Sequence, residues 1–176
     1  MKLKLVELIY NLIKLNKEPI LEKIGESNFF AKLSVLLEKY PWNNFLQLKS
    51  IALYEELLEG QVNERFRKVA LDSSKIAQTL TNLAAKNKFN HTSGAPIRHG
   101  YMACVIKIAT ILEKNKQKSE VEQYLLDSGE EWKNFIDNEY KISTERNTKS
   151  LGGQQPRSNS GDDDDSDVNF SMESIM

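Results

Sequence analysis

Tyr40-Pro41-Trp42-Asn43-Asn44-Phe45-Leu46 is the stretch on which the fold turns. Pro41 pushes Tyr40 out of helical geometry, so a helix arriving from the N-terminal side stops here. Asn43 or Asn44 can then cap a new helix by accepting a backbone N–H, an interaction worth roughly 1 kcal/mol. Trp42, just ahead of the cap, is placed to fold back on Leu46 or Leu48 as a hydrophobic staple. Beyond the cap, Phe45, Leu46, Leu48, Ile51, Ala52, Leu53, Leu57 and Leu58 lie almost all round a helix running to about Glu59. That distribution predicts neighbours on several sides. Gly60 ends the helix.

Helical spacing continues in both directions. Towards the N-terminus, Phe29, Phe30, Leu33, Leu36 and Leu37 form a stripe capped by Ser27 or Asn28. A short helix is expected over Pro19–Ile24, stopped by Gly25. Another is expected over residues 2–15, carrying Leu5, Leu8, Ile9, Leu12, Ile13 and Leu15. Towards the C-terminus, residues 62–71 form a shorter, more polar segment. Ser73 or Ser74 then caps a helix reaching Lys86. Asn87–Ile97 is a loop with nothing periodic in it.

Arg98-His99-Gly100-Tyr101-Met102 repeats the local pattern of the first segment: a breaker, a bulky aromatic, then an apolar run to about Asn115. Gly100 permits a close approach of the chain at a helix start. Two further helices are expected, over Glu120–Leu126 and Glu130–Tyr140. Some seven helices with short connections and no strand alternation predict an all-α domain over residues 1–146. A stacked helical-repeat solenoid of armadillo or HEAT type and a compact bundle fit this periodicity equally well. Residues 147–176 differ. They are poor in apolar residues and include Lys149–Asp167, KSLGGQQPRSNSGDDDDSD, so they are expected to be a disordered acidic tail.

The formal net charge is −1, but from Ser150 onward one basic residue stands against six acidic ones. The body is therefore mildly basic, too weakly to argue for nucleic acid. No apolar run reaches the ~20 residues a membrane span needs. The N-terminus does not read as a signal peptide. A single cysteine fits a reducing compartment: the cytoplasm, with the nucleus as the second choice.

Catalytic patterns are missing. His91, His99 and Cys104 match no zinc-ligand spacing. Cys104 lies within an apolar helix, where a thiol behaves as a small hydrophobe. There is no phosphate loop, nucleophile elbow or HExxH helix. Adjacent acids such as Glu55-Glu56 diverge around a helix. The chain is therefore read as a non-enzyme with no cofactor. Two segments retain a binding reading beside the structural one. A second asparagine beyond the cap leaves a spare amide for a partner's backbone, and Arg98 can hold an acidic or phosphorylated group in a bidentate contact. In the tail, Ser160 ahead of Asp162–Asp165 suits an acidophilic kinase.

Tyr40-Pro41-Trp42-Asn43-Asn44-Phe45-Leu46, Arg98-His99-Gly100-Tyr101-Met102, Glu131-Trp132 with Phe135, and Leu151-Gly152-Gly153 together resemble blocks of the SAPS family, the regulatory subunits of protein phosphatase 6. The likeness covers roughly residues 3–150 and the C-terminal part of that domain. After Tyr101-Met102 the family commonly continues Gly-His-Leu, whereas here Ala103-Cys104-Val105 follows. The resemblance implies a helical-repeat scaffold that binds a phosphatase-6-type Ser/Thr phosphatase catalytic subunit and directs it to substrates, with ankyrin-repeat proteins as further partners. A generic helical adaptor is the alternative. The candidate partner-binding residues are Trp42, Asn43, Asn44, Arg98, His99 and Tyr101. A repeat array that continues on the N-terminal side would leave an apolar edge around Met1–Leu15 in this chain.

Overall fold

A computed structural model describes residues 2–87 and 100–148. All but the first two residues of the expected tail, and most of the Asn87–Ile97 loop, lie outside them. Among the described residues there are ten α-helices and no strand. They are α1 (Lys2–Lys14), α2 (Glu18–Glu26), α3 (Phe29–Lys39), α4 (Asn44–Glu59), α5 (Glu64–Ser74), α6 (Ile76–Lys86), α7 (Met102–Lys114), α8 (Ser119–Asp127), α9 (Gly129–Phe135) and α10 (Lys141–Thr148). A wide-turned helical stretch, Ile136–Tyr140, joins α9 to α10.

The contacts between helices reveal a three-helix unit repeated three times. First helices stack on first helices, α1 on α4 and α4 on α7. Second helices follow, α2 on α5 and α5 on α8, and third helices likewise, α3 on α6 and α6 on α9. This is a helical-repeat array, and three helices per unit is the armadillo choice rather than the two-helix HEAT choice. The first helices begin at residues 2, 44 and 102. Such unequal spacing hides the repeat from the sequence.

Each stack has its own chemistry. One apolar core runs through the units, with Phe30, Leu33, Leu53, Leu57, Leu71, Leu80 and Ile108 fully enclosed. Ion pairs tie equivalent helices across the seams: Glu7 to Lys49 at 2.8 Å, Glu59 to Lys114 at 2.9 Å, Glu38 to Lys86 at 2.7 Å and Glu22 to Arg65 at 3.6 Å. These are exposed pairs, each contributing little. The fifth is different. Arg67 on α5 and Glu120 on α8 are both buried and paired. Arg67 also donates through Nε to the Leu57 carbonyl at 3.0 Å and through Nη2 to the Val62 carbonyl at 2.7 Å. The guanidinium thus closes the end of α4, the α4–α5 turn and the second helix stack at one point.

Several local expectations change. Gly25 does not stop α2 but sits inside it, and a methyl there would meet Val69 at 3.4 Å and Phe66 at 3.7 Å. Its small size serves packing against α5. The last expected helix does not end at Tyr140 but carries on through α10 to Thr148. The polar 62–71 segment is a full helix, α5, capped by Asn63, which accepts the Phe66 N–H at 2.8 Å. Helix α4 does have neighbours in α1, α3 and α7. It is not enclosed all round, however, because Phe45 and Leu48 face outward.

Candidate functional site

The two segments that the sequence singles out belong to equivalent corners, where the third helix of one unit hands over to the first helix of the next. At the α3–α4 corner, α3 ends at Lys39, ahead of Pro41. Asn43 caps α4, its Oδ1 accepting the Leu46 N–H at 3.0 Å. Gln47 reaches back and donates from Nε2 to the Pro41 carbonyl at 2.8 Å. The turn is thus held from both sides, and Asn44 stands exposed as the first residue of the helix.

Trp42 is an exposed aromatic of this corner. Its ring lies against Gly100, where an added Cβ would stand 3.1 Å from Trp42 Cε3 and 3.4 Å from Cζ3. The close approach that the sequence assigns to Gly100 is therefore an approach to Trp42. It brings the two segments together in space. The outer part of the indole remains open, and Trp42 is 62% exposed. Phe45 is 72% and Leu48 63% exposed. Phe45 and Leu48 are three residues apart and share one face of α4. Trp42, Phe45 and Leu48 form an outward apolar set at the corner, flanked by Asn43 and Asn44.

At the α6–α7 corner the aromatic turns inward. Tyr101 is 4% exposed, and its hydroxyl donates to the Leu83 carbonyl at 3.1 Å. Burial raises its pKa above the usual phenol value. Tyr101 is a buried pillar between α6 and α7 and offers almost no surface to a partner. Arg98, His99 and Ser160 lie outside the described residues.

Cys104 is buried on α7, and burial pushes its thiol up to about 12. A thiol that far from ionising is a poor nucleophile. Among the described residues no three His, Cys, Asp or Glu side chains come together as a metal site. No helix among them is long and apolar enough to cross a membrane. What the corner offers is surface: two exposed aromatics, a leucine and two asparagine amides on a rigid turn.

Fold and site together define a helical-repeat scaffold with an outward apolar corner. Residues 20–149 match the family model of SAPS, SIT4 phosphatase-associated protein, and the chain belongs to that family. The family is one of phosphatase-associated regulatory subunits rather than catalysts. Neither the curated proteins nor the solved structures give a match to the chain.

The sequence reading missed Phe45 and Leu48 as surface residues, because apolar side chains in a long helix read as core. The signal available was their spacing. Leu46, Ser50, Leu53 and Leu57 form the buried stripe of α4, and Phe45 and Leu48 fall off it.

Proposed function

We propose that this chain is a non-catalytic subunit that binds a phosphatase-6-type Ser/Thr phosphatase catalytic subunit and directs it to substrates. The coarser half of this statement, a regulatory role alongside a phosphatase, follows from family membership. The observation that supports a docking role for this part of the array is the exposed Trp42–Phe45–Leu48 set. Aromatic side chains held outward on a rigid turn are what protein interfaces use as anchors. Contiguous exposed apolar surface marks interaction sites. Asn44 and Asn43 border the set and can supply hydrogen bonds at its rim. The mechanism is tethering. A phosphatase held on the scaffold meets scaffold-bound substrates at a raised effective concentration. Ankyrin-repeat proteins remain proposed further partners, and the cytoplasm the proposed compartment.

The test uses the full chain and a purified phosphatase-6-type catalytic subunit in a co-purification assay. Wild type should retain the subunit. The double variant W42A/F45A should lose at least about tenfold in affinity, the scale of two modest anchor losses. Its circular dichroism should be unchanged. Binding that is unaffected by the double variant would remove the corner from the interface. Capture of unrelated proteins in place of the phosphatase would support a generic adaptor.

A further inference from the structure

Among the described residues, clefts run along several seams between helices. The α2–α5 cleft is lined by Glu18, Glu22 and Glu26 with Arg65. The α6–α9 cleft carries Glu131 and Glu139 beside Asn82, Asn134 and Asn138. The third, about 590 Å³ between α1 and α3, has no carboxylate in its lining. Its walls are Leu5, Val6, Ile9, Phe29, Val35 and Leu36, and its rim carries Lys32 and Lys39. Leu5 and Val35 stand exposed there. Neither rim lysine is in an ion pair among the described residues; Lys39 lies 6.0 Å over the Tyr40 ring. The cleft is apolar with a cationic rim, and nothing described fills it.

The same chain carries a complementary segment. Asp162–Asp165 and Asp167 lead directly into Val168-Asn169-Phe170-Ser171-Met172. Val168, Phe170 and Met172 alternate with polar residues, so an extended chain puts all three on one face. We propose that this acidic-apolar segment docks into the α1–α3 cleft of its own chain, with Phe170 and its apolar neighbours between the helices and the aspartates over Lys32 and Lys39. Both chemical halves match, and the other two clefts would set carboxylate against carboxylate. The tether is long enough. Residues 149–167 reach about 65 Å when extended. A random coil of that many residues averages about 25 Å end to end. From the third unit back to the first is two helix spacings of about 8–10 Å each. Docking would cover the apolar lining between α1 and α3, and phosphorylation of Ser160 would add charge just upstream of the aspartates. This inference is independent of the phosphatase reading, since the cleft and the Trp42 corner share no residue.

The experiment is photo-crosslinking of the full-length chain with Phe170 replaced by a benzoyl-phenylalanine. Crosslinked peptides are mapped by mass spectrometry. The expected result is intrachain crosslinks to residues 5–9 and 29–39, unchanged on dilution. The surface variant K32E/K39E, or 0.5 M salt, should lower their yield at least about threefold, since the rim pairs are screened or reversed. Crosslinks scattered along the array, or none, would overturn the proposal. So would interchain crosslinks that vanish on dilution, which would assign the cleft to a second copy. Full crosslinking in the lysine variant would show that charge plays no part, and would overturn the pairing of aspartates with Lys32 and Lys39.

Discussion

The α3–α4 and α6–α7 corners share one local grammar and reach opposite ends. Each places an aromatic just before the first helix of a unit. Tyr101 turns in and is 4% exposed, while Trp42 stays 62% exposed. The difference lies in what each ring finds. Tyr101 has the Leu83 carbonyl for its hydroxyl and packs in the seam of α6 and α7. Trp42 has the flat backbone of Gly100 against part of its ring, and most of its surface stays open. A closed corner holds units together, and an open one leaves a large apolar side chain at the surface. Sequence grammar sets the corner, and the neighbouring unit decides whether it closes.

The largest effects should come from the closed parts of the array. The Arg67–Glu120 pair is the polar counterpart of Tyr101, buried between units and fully engaged. R67A leaves Glu120 buried without its partner and should destabilise by about 3–5 kcal/mol. A urea melt checks this. The pair also sets an acid limit. Desolvation pulls the Glu120 pKa up, but the hydrogen bond from Arg67, its own backbone N–H and the charges of Arg67 and Lys118 outweigh it, leaving the pKa below the usual value. A depressed carboxylate contributes stability above its unfolded pKa of about 4.3 and loses it as pH falls through the lower folded value. Stability should therefore drop on acidification below about pH 4.3, with a smaller drop in E120Q, measured by melts across the pH series.

Next in size is the closed corner itself. Y101A should cost about 3 kcal/mol through the cavity it leaves. Y101F should cost about 1 kcal/mol by leaving the Leu83 carbonyl without its donor. Equal, small losses in both would show that this corner is no more closed than the other. At the open corner, N43A removes the α4 cap and should cost about 1 kcal/mol. F45A should change stability by no more than about 0.5 kcal/mol, because the side chain is exposed. A loss of several kcal/mol in F45A would mean that Phe45 is core after all, and the comparison would fail.

Much of this was legible beforehand, for physical reasons that also mark the limits. Pro41, Asn43 and Gly60 act through their own backbone and nearest neighbours, so the bounds of α4 could be read directly. The close approach at Gly100 could be read as well, though not the ring that it approaches. The three-helix repeat could not, because its units are unequal in length and share packing rather than residues. The Arg67–Glu120 clamp joins positions far apart in the chain, and only the stacking of α5 on α8 brings them together. At Gly25 the sequence predicts a stop, since glycine ends helices locally. Here the need for a small residue against Phe66 and Val69 prevails. Phe45 and Leu48 misled the reading in the opposite way, as apolar residues kept on the surface.

The most direct test of the scaffold account is hydrogen exchange of the full chain with and without a phosphatase-6-type catalytic subunit. The account predicts added protection over residues 40–48, with little change in the already protected α6–α7 seam. Protection confined to the α6–α9 face, or no change anywhere at saturating subunit, would contradict it.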